Sequence, residues 1–196
     1  MSEEPPFFEE ASRRVEERLG TLLKEPVKIS TYLSLDRKLI DDILKVDSAM
    51  FREELRYDLW DLMTRSKRPG FVLLMVRQGR EPLAFFFGYA DSGFPGGYYG
   101  DTMASLVEGK GVGSSLFTLV HIYCYENGYN HFSCHTEEVD ERGRKLRDWY
   151  IAMGMDHVET TPEYGDLMRV RLTPKHVIWM YHRYILGDKQ YKRAQA

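Results

Sequence analysis

Long apolar runs are scarce in this sequence of 196 residues. The longest wholly apolar stretch, Phe71 to Val76, is about a third of the roughly 18 residues that a membrane-spanning helix requires, so no transmembrane segment is expected. Cysteine is nearly absent. Cys124 and Cys134 allow at most one disulfide, too few to staple a secreted scaffold and ordinary for thiols kept reduced in a cytosol. Charge of one sign is not in excess either: the net charge is −3, and the concentrated basic field of a nucleic-acid binder is missing, so nucleic acid is not an expected partner. The start, Met1-Ser2-Glu3-Glu4-Pro5-Pro6, lacks the basic then apolar pattern of a signal peptide, and the expected localisation is cytoplasmic. What is there is the composition of an ordinary globular chain able to bury a core, 43% hydrophobic and 29% charged. The length fits one domain with an extra element at either end.

Along the chain, residues 7–24 read as an amphipathic helix, with Phe8, Val15, Leu19 and Leu22 near helical spacing and Pro26 ending it. Val27 to Tyr32 alternates as a first strand. Ser34 can cap a helix from about Asp36 to Met50, and a second helical stretch runs from about Glu53 to Arg65. The period then shortens. Phe71 to Val76 and Leu83 to Tyr89 form a hairpin about Gln78-Gly79-Arg80, Asp91 to Gly97 is a loop, and Tyr98 to Leu106 is a further strand. A helix from about Ser114 to Glu126, a strand from His131 to Thr136 and a helix from about Glu141 to Met153, closed by Gly154, follow. Met155 to Thr160 and Leu167 to Leu172 make a closing hairpin, and Thr173 caps a last helix from Pro174 to about Leu186. This order describes a mixed sheet with helices packed on its faces, an α/β or α+β fold.

The most informative stretch is Glu108-Gly-Lys-Gly-Val-Gly-Ser-Ser115. Three alternate glycines between a strand and a helix let backbone N–H groups point into one cavity at the positive end of that helix, which is a phosphate cradle. A tight strand-to-helix turn without ligand is the bland alternative, although a turn alone needs only one glycine. A nucleoside triphosphate loop needs a lysine after its last glycine, and Lys110 lies inside the loop instead. A dinucleotide fingerprint needs a third glycine where Ser114 stands, and an acid about 20 residues on, which is missing.

The loop and its surroundings resemble the GNAT superfamily of acyl-CoA-dependent N-acyltransferases, whose Gln/Arg-x-x-Gly-x-Gly/Ala motif between the fourth strand and the next helix reads Glu108-Gly109-Lys110-Gly111-Val112-Gly113 here. The resemblance covers about residues 27–172. It includes the helical pair after the first strand, the hairpin, and Trp149-Tyr-Ile-Ala-Met-Gly-Met155, which is similar to the family's Leu-Tyr-x-x-x-Gly-Phe. It implies a central mixed, mostly antiparallel sheet with helices on both faces, splayed between strands 4 and 5. Residues 1–26 and 173–196 then become a helical extension and a helix with a basic tail, whose helices are a candidate homodimer contact. Two positions depart from the pattern: Glu108 stands where the family usually has Gln or Arg, and Gly143 where it often has an Asn that contacts the pantetheine arm.

For the site, the resemblance implies acetyl-CoA as donor, lying against Met103, Ala104 and Ser105 of the fourth strand and against Glu108, Gly109, Lys110, Gly111, Val112, Gly113, Ser114 and Ser115. The expected reaction is direct attack of a primary amine on the thioester; a CoA-binding or protein-interaction module without turnover is the alternative. Such chemistry requires a neutral amine, a polarised carbonyl and a stabilised thiolate. Tyr150 is similar to the family tyrosine beside the CoA sulfur, with a purely packing role as its alternative. By the resemblance, a free N–H on the fourth strand, at or beside Met103, would meet the acyl oxygen. Asp101, read as one pleat before Met103 on the same strand face, is a candidate base, and Glu54 is its rival. The acids Glu54, Asp91, Asp101, Glu137 and Glu138 tilt the expectation to a cationic acceptor. Tyr32, Tyr89, Tyr98 and Tyr99 suit either core or cleft. His121, Cys124, His131, Cys134 and His135 do not match a zinc spacing, and no metal is expected.

Overall fold

Among the described residues, period-two patterning condenses into seven strands: β1 (Val27–Tyr32), β2 (Val72–Gln78), β3 (Glu81–Ala90), β4 (Gly97–Ser105), β5 (His131–Thr136), β6 (Asp156–Thr161) and β7 (Gly165–Arg171). The computed structural model describes residues 4–140 and 142–193. The acidic start at Met1-Ser2-Glu3, the expected helix start at Glu141 and the end of the basic tail lie outside the described residues. The strands form one sheet in the order β1-β2-β3-β4-β5-β7-β6, and every neighbouring pair is antiparallel except β4 and β5. The helices are α1 (Phe8–Leu23), α2 (Arg37–Met50), α3 (Leu59–Arg65), α4 (Val112–Glu126), α5 (Leu146–Ala152) and α6 (Pro174–Met180).

Alternation along the strands feeds two apolar layers. In β3, Phe85 and Phe87 face α2 and α3 with Leu39, Ile43 and Leu62, whereas Phe86 faces the opposite layer with Tyr98 and Phe132. That second layer is covered by α1, α4, α5 and α6. Helix α4 lies between the sheet and the terminal helices, and most of its residues, from Ser115 through Ile122, are buried. Its sequence is apolar on all sides because it has no wet face to dress. Ala11, Val15 and Leu19 of α1, with Val177 and Met180 of α6, are fully buried in this layer, so the apolar stripes of the terminal helices are turned into their own chain.

Four local expectations need correction. The cap of α2 is Asp36, whose carboxylate accepts the Leu39 N–H at 2.8 Å, and not Ser34. The stretch 53–65 is broken into a single turn at Glu53–Leu55 and α3. The break occurs because the Tyr57 N–H donates to the carboxylate of Asp47, while Asp58 and Asp61 form a reciprocal capping box that starts a new helix. The helix expected from Glu141 begins only at Leu146, after a turn tied by the carboxylate of Asp140. The last helix changes at Met180 into a wider π turn over Tyr181–Ile185.

Candidate functional site

The site is built where β4 and β5 part. Their pairing runs only from Gly97 with His131 to Gly100 with Cys134. Beyond it β4 continues along β3 and β5 along β7, which leaves a slot between residues 101–105 and 135–136. Each strand is then paired on one side only, so every second N–H of β4 along the slot, in the run of Met103, Ala104 and Ser105, lacks a strand partner.

Above the slot, the β4 to α4 loop forms the cradle. Gly109 and Gly111 adopt left-handed φ of 71° and 76°, a conformation that favours glycine, and Gly111 is the N-cap of α4. A Cβ built on Gly109 or Gly113 would meet nothing within 4 Å, so the loop's outer side is open space. The first N–H groups of α4 are unsatisfied by helix geometry and point toward that space, as an anion would need. The Gly111 carbonyl accepts from the hydroxyls of Ser114 (3.2 Å) and Ser115 (2.7 Å), which stiffens the turn. Arg18 of α1 buttresses it from behind: its guanidinium donates to Ser115 Oγ, to the Tyr184 carbonyl (2.6 Å) and to the Ile185 carbonyl (3.2 Å). Sequence periodicity placed Arg18 on a helix and carried no sign of this contact.

Tyr150 stands where the strands part. Its phenol is hydrogen-bonded with the thiol of Cys134, the last β5 residue paired with β4, and its ring meets Phe117 and Trp149 edge-on. Burial pushes the phenol well above its ordinary pKa, with Cys134 and Tyr99 adding to the shift, so it remains a proton donor through any working pH. The Cys134 thiol is likewise pushed up to about 12 by burial, and neither group is ionised at neutral pH.

Asp101 does not share a face with Met103. The β3–β4 register steps from Phe87 opposite Thr102 to Gly88 opposite Gly100, so Asp101 is the extra residue of a β-bulge and alternation is broken there. Met103 packs into the α4 layer, whereas Asp101 faces α3. Its carboxylate, 7% exposed, accepts from Tyr57 Oη (2.8 Å), Arg65 Nη1 (2.7 Å) and Tyr89 Oη (2.8 Å). Glu54 is 79% exposed on the turn before α3, with Arg52 at 4.0 Å as its ion-pair partner. The acids read as a negative field are largely compensated: Asp101 by Arg65, Glu137 by Arg52 at 2.6 Å, Glu138 by Arg147. Glu108 is paired as well, with Arg142 at 3.0 Å and Arg144 at 2.9 Å.

On the face of the sheet that carries Asp101, His135 occupies the β5 lip of the slot. Its Nδ1 is 3.0 Å from Tyr99 Oη, and burial lowers its pKa, so the imidazole is neutral at pH 7. Strand alternation separates it from Cys134, which faces Tyr150. His121, by contrast, lies in the core, with its Nδ1 3.1 Å from His176 Nε2. Tyr98 is core, and Tyr89 serves Asp101.

Comparison with solved structures bears on this geometry. Neither a protein-family model nor a curated protein matches the sequence. Many solved structures cover about three quarters of the chain. A Desulfovibrio desulfuricans protein assigned to the GNAT acetyltransferase family superposes with a TM-score of 0.62 at 13% identity, covering 75% of this chain and 99% of that one. The chain has the GNAT fold. The ribosomal-protein-S18-alanine N-acetyltransferase of Escherichia coli shares it at 10% identity (TM-score 0.59, 75% and 94% covered). An aminoglycoside 6′-N-acetyltransferase complexed with coenzyme A does so at 12% identity (TM-score 0.61, 75% and 98% covered). Within the GNAT fold, the parting of β4 from β5 and the glycine loop above it form one continuous feature of this chain.

Proposed function

We propose that this protein transfers an acetyl group from acetyl-CoA to a primary amine by direct attack within the slot. The observation that carries the reading is the alignment of an open glycine cradle, a parted strand pair and a protonated Tyr150 at the point of parting. The donor supplies a thioester, whose pyrophosphate suits the loop from Glu108 to Ser115 and whose pantetheine amides suit the one-sided edge of β4 at Met103, Ala104 and Ser105.

The residues divide the proton work between two faces. His135, neutral and held by Tyr99, takes a proton from the amine on the Asp101 face, directly or through water. As the C–N bond forms and the C–S bond breaks, the electron pair goes to sulfur and Tyr150 donates its phenolic proton there. An unpaired β4 N–H beside Met103 stabilises the acyl oxygen. Asp101, saturated by three donors, fits better as the anchor that fixes Tyr57, Tyr89 and Arg65 around the acceptor than as the base. Glu54, 79% exposed and paired with Arg52, is a poorer base than His135.

A thiol-release assay with acetyl-CoA and a broad panel of primary amines tests the reading. Amine-dependent release of CoA with an acetylated product is expected. Binding of acetyl-CoA with no turnover on any amine of the panel would leave a CoA-binding module in its place.

A further inference from the structure

We propose that Arg142 and Arg144, gathered by Glu108 at the rim of the glycine loop, bind the pyrophosphate of the donor. The proposal rests on the acyl-CoA reading and adds to the loop two ligands from a different segment. Glu108 immediately precedes Gly109, on the β4 side of the slot, and the two arginines follow β5. Both guanidinium groups converge on one oxygen, Glu108 Oε1, at 3.0 and 2.9 Å.

The segment carrying them is built to aim them. Val139 bridges to Lys145, and the Asp140 N–H donates to the Arg144 carbonyl at 3.0 Å. The nearly buried Asp140 carboxylate accepts the N–H groups of Arg142 (3.0 Å) and Arg144 (2.8 Å), and also Arg144 Nε at 2.5 Å. Between the arginines sits Gly143, at a left-handed φ of 74°. A Cβ there would meet nothing within 4 Å, so backbone conformation rather than space asks for glycine. Glu108 and Gly143, the two departures from the motif pattern, thus belong to one assembly.

Stability does not explain this assembly. Glu108, Arg142 and Arg144 are 55%, 41% and 43% exposed, and ion pairs so open to solvent contribute little to folding. Their effect is placement: two planar forks, already brought together, beside backbone N–H groups that themselves favour an anion. On the exposed rim the two guanidinium groups share the single carboxylate of Glu108, while the nearly buried Asp140 holds Arg144 Nε from the other side. A pyrophosphate, with more charge and more acceptor oxygens than Glu108 offers, is favoured over the carboxylate for the same donors.

Calorimetric titration of CoA and dephospho-CoA, which keeps the pyrophosphate and lacks the 3′-phosphate, tests the assignment. The full chain is compared with Arg142→Gln/Arg144→Gln and with Gly143→Ala, which keeps every charge and strains the turn. The double variant should bind both ligands about tenfold or more weakly, with a cooperative melt that shows the fold retained and a shallower salt dependence. Gly143→Ala should weaken both in the same direction. Affinity in the double variant within twofold of the unmodified chain would overturn the proposal, as would a loss confined to CoA, which would move the contact to the 3′-phosphate. An unmodified chain that binds neither ligand would sink the acyl-CoA reading and this proposal with it.

Discussion

Tyr150 and His135 lie on opposite faces of the sheet beside the slot, and single substitutions test the role proposed for each. Tyr150→Phe removes only the hydroxyl, so kcat should fall about 10- to 1,000-fold with the ring still packed on Phe117 and Trp149. A kcat within threefold of the unmodified protein would reduce Tyr150 to a packing residue. His135→Gln should lower kcat/KM about 100-fold and remove the acid limb of the pH profile, which arises below pH 6.5 as the imidazole takes a proton. An unchanged acid limb would contradict this. The glycines give a cleaner test of the cradle. Gly113 has an ordinary φ and open space beyond it, so Gly113→Ala should leave stability unchanged or raise it by up to about 1 kcal/mol while weakening acetyl-CoA binding. Equal affinity would show that nothing binds there. The glycine turn before α4 and the place of Tyr150 on α5 were legible in sequence because their spacing is local. The pairing of His135 with Tyr99 was not, since it depends on the register of two strands separated by α4.

At the scale of elements, the bulge in β4 is the feature that periodicity could not supply. One extra residue, Asp101, turns a strand side chain toward α3 and lets a single carboxylate fasten Tyr57, Arg65 and Tyr89. Asp101→Ala would strand these donors. Breaking a buried pair costs about 3–5 kcal/mol, and with the Arg65 end 30% exposed the expected loss is about 2–3 kcal/mol, read by chemical denaturation. A loss under about 0.5 kcal/mol would mean that α3 docks without it. The strands β1 and β5 were readable to the residue because their alternation is uninterrupted. The breaks at Tyr57 and before Leu146 were not, because they are set by acceptors on other turns, the carboxylates of Asp47 and Asp140.

For the whole molecule, the buried contact between His121 and His176 joins α4 to the C-terminal helix and makes stability depend on pH. Burial holds His121 well below its ordinary pKa and pushes His176 down to about 3, with Arg193 adding to the latter. Depressed folded values mean that this contribution is complete above about pH 6.5 and is lost as pH falls toward 3, at about 1.4 kcal/mol per pH unit for each histidine. Asp47, pushed up to about 6 chiefly by burial, takes a proton in the folded chain and offsets part of the loss between about pH 6 and 4. The melting temperature should therefore decline from pH 6.5 downward, less steeply in His176→Leu; a flat profile would contradict the buried neutral pair. The central claim concerns the slot and cradle together, and titration of acetyl-CoA into the intact chain by calorimetry tests it most directly. Saturable binding of one ligand per chain, with a dissociation constant of about 1 mM or tighter, is predicted. No detectable heat at millimolar acetyl-CoA would contradict it.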